Sequence, residues 1–243
     1  MKENKYDDFS FFEQYGKMSR SQKGLDAAGE WHVLKGMLPD FKEKKVLDLG
    51  CGYGWHCRYA IEKGAKSVVG IDLSEKMLQK AKKINQLDGI IYKRMALEDV
   101  QFTPEIFDVI FSSLTFHYIQ SYDMLIGNIY QWLKAGGRFV FSVEHPVFTS
   151  KDSQDWVYDA AGNKSHWAVD SYFFEGERNT LFLGERVLKY HRTVGTYLNV
   201  LLKKGFKIVE VKEPVPSDEM LKNIPEMKDE LRRPMMLLIS TEK

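Results

Sequence analysis

The chain has 243 residues, 44% hydrophobic and 28% charged, with 35 basic side chains against 34 acidic ones and a formal net charge of +1. That is globular composition with room for one large domain or two small ones, and it excludes a disordered or fibrous chain. Near-neutrality removes the bulk positive field of a nucleic-acid binder. No apolar run nears the roughly 20 residues of a membrane span, and residues 1–12 lack the apolar core of a secretory leader.

Residues 1–44 are polar and aromatic, with Tyr6, Phe9, Phe11, Phe12 and Tyr15 near the start, and read as an N-terminal helical flap. From residue 45 short apolar runs alternate with amphipathic stretches. Residues 45–49 (KVLDL) read as a strand running into glycines, 55–63 as a helix stopped by Gly64, and 66–72 (KSVVGID) as a second strand. Ser74 is a good N-cap for a helix carrying Met77, Leu78, Ala81 and Ile84 on one face. Strands follow at 90–94 and 107–112. The stripe Leu125, Ile126, Ile129, Tyr130 and Leu133 predicts a helix, with Gly136-Gly137 as its C-terminal stop. A fifth strand is expected at 138–144. Val194, Tyr197, Leu198, Leu201 and Leu202 keep helical spacing up to Gly205, and closing strands are expected at 208–211 and 235–239.

Strands and helices in alternation, with near-continuously apolar strands, imply an α/β fold with a doubly wound parallel sheet covered on both faces. In such a sheet ligands bind beyond the carboxyl ends of the strands, at the switch point. The first strand ends there in Asp48-Leu49-Gly50-Cys51-Gly52-Tyr53-Gly54, whose glycines let a ligand approach the backbone. The second strand ends in Asp72, 20 residues after Gly52, where a carboxylate accepts from both hydroxyls of a ribose. The nicotinamide fingerprint G-x-G-x-x-G is broken, because Trp55 stands at its third glycine. A buried Asp48 beside the turn opposes a pyrophosphate and favours a cationic ligand. That directs the reading to S-adenosylmethionine. The two cysteines, Cys51 and Cys57, lack partners for a metal site and are too few for a disulfide scaffold. They suggest a reducing, cytoplasmic compartment.

VLDLGCGYG, GIDLSEKML, FDVIFSSLTFHYI and LKAGGRFVFSV resemble the successive motifs of the class I S-adenosylmethionine-dependent methyltransferases over about residues 45–146. The resemblance implies a Rossmann-like, mostly parallel seven-stranded sheet whose last strand is antiparallel. It makes 45–243 the methyltransferase domain, with 147–190 inserted after the fifth strand. It implies that Gly50, Cys51 and Gly52 lie against the methionine part of the cofactor, with Asp48 close by. Asp72 would hold the ribose, Leu73 would pack on the adenine, and Met77 belongs to the same site. Residues 95–99 match the adenine loop. Ala96 stands where many relatives have Asp, so that role passes to Glu98 or Asp99, while the Leu97 backbone still meets the ring. Ser112, Ser113 and Leu114 approach the amino-acid part, and Arg20 is a candidate partner for its carboxylate.

The motifs of amino-directed nucleic-acid, cytosine-C5, catechol-type and arginine-directed methyltransferases are absent after the fourth strand, which favours a small-molecule acceptor. Nine of the 44 residues from 147 to 190 are aromatic. They form either a lid over an apolar or ring-bearing substrate or the insertion's own small core. For an oxygen acceptor a histidine base is expected. His145 is the first candidate, His191 the second and His117 the third, with Glu144 orienting a base or binding an amine. The resulting expectation is metal-independent methyl transfer by direct displacement, with neither nucleic acid nor membrane as partner. The alternatives are a non-catalytic S-adenosylmethionine-binding protein and an RNA or protein methyltransferase.

Overall fold

The computed structural model describes residues 4–243, so the first three residues of the expected flap lie outside it. Three helices come first: α1 (Phe9–Lys17), α2 (Ser19–Lys23) and α3 (Trp31–Met37). Asp8 caps α1 by accepting from the Phe11 N–H at 3.0 Å. The unit that follows contains β1 (Lys45–Leu49), α4 (Trp55–Glu62), β2 (Ser67–Asp72), α5 (Glu75–Ile84), β3 (Ile90–Arg94), β4 (Phe107–Ser113), α6 (Tyr122–Trp132) and β5 (Leu133–Glu144). The insertion carries the short helix α7 (Pro146–Thr149) and two hairpins. These are β6 (Val157–Tyr158) with β7 (Lys164–His166), and β8 (Gly176–Phe182) with β9 (Glu185–His191). The chain closes with α8 (Val194–Lys204), β10 (Lys207–Lys212), α9 (Asp218–Asn223) and β11 (Met236–Glu242).

Seven strands form one sheet in the order β10-β11-β5-β4-β1-β2-β3. β1 pairs in parallel with both β2 and β4, so the direction of winding reverses at β1. β11 runs antiparallel between β5 and β10, as the family resemblance implies. One face of the sheet packs on α6 and α8 through Leu125, Ile129, Tyr197 and Leu201, all fully or almost fully buried. The other face packs on α4 and α5 through Cys57, Ala60, Leu78 and Ala81. Trp31, Leu34 and Met37 of α3 cover Val140 and Leu238. Burying side chains of this size contributes about 1.5–3 kcal/mol each, so α3 is fastened to the β5–β11 half of the sheet.

Local chemistry explains the element ends. Ser74 accepts from the Met77 N–H at 3.1 Å and opens α5. Thr193 does the same for Thr196 and opens α8. Gly205, at φ +101°, ends α8 with its N–H on the Leu201 and Leu202 carbonyls. One boundary departs from expectation. α6 ends at Trp132, and Gly136-Gly137 is not its C-cap but part of a bulge inside β5. Leu133 pairs with Phe107 and Arg138 with Val109, so residues 134–137 loop out of the ladder. The Gly136 N–H donates to the Lys243 carbonyl, and the Lys243 N–H donates to the Gly137 carbonyl. Lys243 therefore completes this bulge, an interaction that local spacing cannot reveal.

Candidate active site

A cavity of about 980 Å³ opens at the carboxyl ends of the central strands, at the top of the 300–1,000 Å³ range of small-molecule sites. At one end lie Gly50, Gly52, Asp72, Leu73, Met77 and Leu97, with Glu98 and Leu114 beside them. Gly50 has φ +82°, and a Cβ there would meet Thr115 Oγ1 at 2.2 Å. Only glycine fits this contact and this backbone. A Cβ at Gly52 would meet nothing within 4 Å, so the backbone there faces open cavity. The Asp72 carboxylate accepts from the Gly52 N–H and the Ser74 N–H, both at 2.8 Å. Burial raises its pKa to about 6, against those two backbone donors, and the Asp7 carboxylate adds to the rise.

The N-terminal segment forms part of the wall. Asp7 accepts from Ser74 Oγ at 2.6 Å and from the Lys76 N–H at 3.1 Å, which ties the segment to the start of α5. Tyr6, Tyr15 and Arg20 line the cavity. Tyr6 donates to the Tyr118 hydroxyl at 3.3 Å, and burial first of all pushes both phenols upward, so they stay protonated donors. Arg20 reaches Glu30 at 3.5 Å, and Glu30 also accepts from Ser113 Oγ at 3.0 Å.

The opposite end is built from the insertion and the C-terminal segment. Phe148, Phe182, Val187, Met220 and Met227 supply apolar surface. The aromatic insertion packs partly on itself and partly against the cavity. Phe148 stacks on Trp167, Trp156 meets Trp167 edge-on, and the Arg233 guanidinium lies 4.1 Å from the Trp167 ring centre, so these rings form a local core. Phe182, Tyr190 and one side of Phe148 reach the cavity. Phe173 and Phe174 are exposed and do neither.

Several residues singled out in the sequence lie outside this cavity. Asp48 is buried beneath the glycine turn, holds the Cys57 thiol at 3.2 Å, and burial raises its pKa to about 8. It does not line the cavity, so it stands behind the turn and not against the ligand space. Cys51 borders a small side pocket with Arg20 and Ser113 instead of the main cavity. Ser112 is committed to the Leu49 carbonyl at 2.6 Å. Asp99 does not line the cavity, whereas Glu98 does.

The order of the histidines is also corrected. His145 caps α7 through the Val147 N–H at 3.0 Å, and its Nε2 lies 2.7 Å from the Glu213 carboxylate. His191 is fully buried between Thr149 Oγ1 at 2.8 Å and the Tyr172 carbonyl at 2.9 Å. Neither faces the cavity. His117 does. Its Nδ1 accepts from the Glu144 N–H at 3.3 Å, which leaves Nε2 as the protonated nitrogen, 4.0 Å from the Glu144 carboxylate. Burial drives its pKa to about 4 despite that carboxylate. His117 is therefore a neutral donor at this wall.

Glu144, singled out in the sequence, has two partners beside His117 that were not singled out, Lys189 and Gln154. Lys189, 1% exposed, donates to Glu144 Oε1 at 2.6 Å and to Gln154 Oε1 at 2.9 Å. Gln154 in turn donates to Glu144 Oε2 at 3.0 Å. Burial pushes the Glu144 carboxyl up, but His117, Lys189 and the two hydrogen bonds outweigh it and hold the group below its usual range. The signal was present in β9, where period-2 alternation turns Val187, Lys189 and His191 inward.

The comparisons with known proteins agree with the fold. Residues 47–141 match the sequence family described as a methyltransferase domain. A crystal structure from Mesorhizobium loti, an S-adenosylmethionine-dependent methyltransferase, is 44% identical with a TM-score of 0.85, over 90% of this chain and all of that one. One from Listeria monocytogenes, assigned to the same class, is 58% identical with a TM-score of 0.86, over 90% of this chain and 99% of that one. An uncharacterised protein of Haemophilus influenzae is 37% identical over 98% of this chain and 96% of its own length. Shorter likenesses include a tRNA U34 carboxymethyltransferase of Cellvibrio japonicus, 30% identical over 46% of this chain and 36% of its own length. A phosphoethanolamine N-methyltransferase of Arabidopsis thaliana is 32% identical over 53% of this chain and 26% of its own length.

Proposed function

Because the chain belongs to the class I S-adenosylmethionine-dependent methyltransferases, we propose that it methylates a small molecule held in the apolar half of its cavity. The observation that carries this reading is one cavity of about 980 Å³ that is lined both by the glycine turn and Asp72 and by apolar and aromatic side chains. Such a site has room for a cofactor and a small acceptor side by side. A base within an RNA chain would need an open, positively charged track. Here the polar wall mixes signs, with Arg20 and Lys189 against Asp72, Glu98 and Glu144.

The residues at the first end fit the cofactor. The open backbone at Gly52 and the tight turn at Gly50 leave a cradle, and the Asp72 carboxylate has lone pairs to spare for a ribose. Leu73, Met77 and Leu97 would supply apolar surface for the adenine, and Glu98, which lines the same cavity, would offer a hydrogen-bond acceptor. Leu114 and Arg20 take the amino-acid end. When bound, S-adenosylmethionine supplies a methyl group on a positively charged sulfur, open to direct displacement without a metal. The protein's task is then alignment. The N-terminal segment and the insertion serve as flap and lid, since both form cavity wall.

The test is calorimetric titration with S-adenosylmethionine, S-adenosylhomocysteine and NAD, followed by a screen of small acceptors for S-adenosylhomocysteine release. Micromolar binding of both adenosyl compounds, none of NAD, and turnover of a small acceptor are expected. Turnover on bulk tRNA with none on any small molecule would refute the acceptor class.

A further inference from the structure

Lys189 and Glu144 form a buried ion pair inside a methyltransferase cavity, at a position the cofactor end does not use. An ammonium has three N–H donors. Two of Lys189 are committed to Glu144 and Gln154. Among the described residues the third has no hydrogen-bond partner, and the ammonium lies 5.3 Å from the Phe182 ring centre and 6.0 Å from that of Tyr118. Each Glu144 oxygen accepts one hydrogen bond within the cluster, so each keeps a lone pair. A donor and an acceptor thus stand 2.6 Å apart on the wall, flanked by aromatic rings.

We infer that this pair recognises a hydroxyl group on an aromatic acceptor, and that the protein methylates that oxygen. The inference rests on the methyltransferase reading above. A hydroxyl is the group that matches both halves of the pair, since it accepts from Lys189 and donates to Glu144. An anionic group would meet the Glu144 carboxylate. A protonated amine would meet the Lys189 charge, and an uncharged amine accepts hydrogen bonds through the lone pair it needs for attack. The hydroxyl keeps a second lone pair for that purpose.

The transfer balances with these residues. A lone pair of the hydroxyl oxygen forms the new O–C bond while the methyl–sulfur bond breaks with its electron pair left on sulfur. The oxygen becomes strongly acidic as that bond forms, so its proton passes to Glu144 even though Glu144 is a weak base, and from there to water. Lys189 holds the oxygen in line through its remaining N–H donor. His117 fixes the end of β5 through the Glu144 N–H and is a positioning residue.

The experiment uses matched probes, p-cresol and 2-naphthol against p-toluidine, titrated calorimetrically into protein saturated with S-adenosylhomocysteine. Turnover with S-adenosylmethionine is followed by mass spectrometry. The phenols should bind at least tenfold more tightly than the amine and give O-methyl ethers. Glu144→Gln should lower kcat by roughly 10²–10⁴-fold, the usual contribution of a general base, with S-adenosylhomocysteine affinity retained. Lys189→Met should raise KM for the phenols and abolish the preference over the amine. Thermal melts identify a variant that fails to fold, in which case the other carries the test. Equal or tighter binding of the amine, or no binding of any probe by the loaded protein, overturns the inference and leaves the methyltransferase reading standing. Failure of wild-type protein to bind S-adenosylhomocysteine undoes that reading itself.

Discussion

Asp72 gives the sharpest test of the cofactor end, because its charge state and its contacts are both defined. Its carboxylate is anchored by the Gly52 and Ser74 N–H groups, each at 2.8 Å, and its remaining lone pairs face the cavity. Asp72→Ala removes charge-assisted hydrogen bonds to a ribose worth about 1.5–3 kcal/mol. At 1.4 kcal/mol per factor of ten, S-adenosylhomocysteine affinity should fall about 10- to 150-fold. A second signature separates this from loss of the loop anchor. The pKa is raised to about 6, so the free carboxylate is mostly ionised at pH 7 and mostly protonated at pH 5. Only the ionised form accepts from both hydroxyls, so binding weakens as pH falls through 6. Between pH 7 and pH 5 the ionised fraction drops about tenfold, and wild-type affinity should drop with it. Asp72→Ala should show a flat profile over that range. Calorimetric titrations at three pH values read both effects, with circular dichroism as the control for folding. An unchanged affinity in the variant, or a wild-type profile as flat as the variant's, would refute the assignment.

Gly50→Ala should abolish cofactor binding and lower Tm, since its methyl would meet Thr115 Oγ1 at 2.2 Å and its φ of +82° strains any L-residue; retained affinity by titration would contradict the cradle. Arg20→Ala should raise KM for S-adenosylmethionine by about tenfold, the worth of one charge-assisted bond, with kcat little changed; steady-state kinetics read this. His191→Ala should leave turnover intact but cost about 1–3 kcal/mol for its two buried partners, or several degrees in Tm for a chain of this size. Loss of kcat without loss of Tm would restore His191 as a base.

Much of the sheet was legible because its causes are local. KVLDL, SVVGID and FDVIFSS are apolar runs bounded by glycine or polar turns, and they became β1, β2 and β4. The caps at Ser74 and Thr193 and the Gly205 stop depend on one or two side chains. Gly136-Gly137 misled because its contact is with Lys243, more than 100 residues away. The cofactor end divides on the same principle. Gly50, Gly52, Asp72, Leu73 and Leu97 face the cavity because they sit at strand ends or just beyond them. Asp48 and Ser112 are one or two residues further back and are drawn into the sheet interior, where Cys57 donates to one Asp48 oxygen and Ser112 donates to the Leu49 carbonyl.

The histidines show why a shared edge of the sheet does not define a site. His117 and His145 follow the ends of β4 and β5 and His191 closes the β9 hairpin, yet burial commits His191 to Thr149 and Tyr172 and His145 to the Val147 N–H and the Glu213 carboxylate. A buried imidazole with both nitrogens occupied stabilises the fold and has no lone pair for a substrate proton. The group left with spare capacity is Glu144, whose second lone pairs face the cavity because β5 ends there and Lys189 approaches from β9. Both residues are visible in the sequence as charged positions beside apolar ones. What the sequence withholds is that the β8–β9 hairpin brings an inward lysine onto the carboxylate at the end of β5.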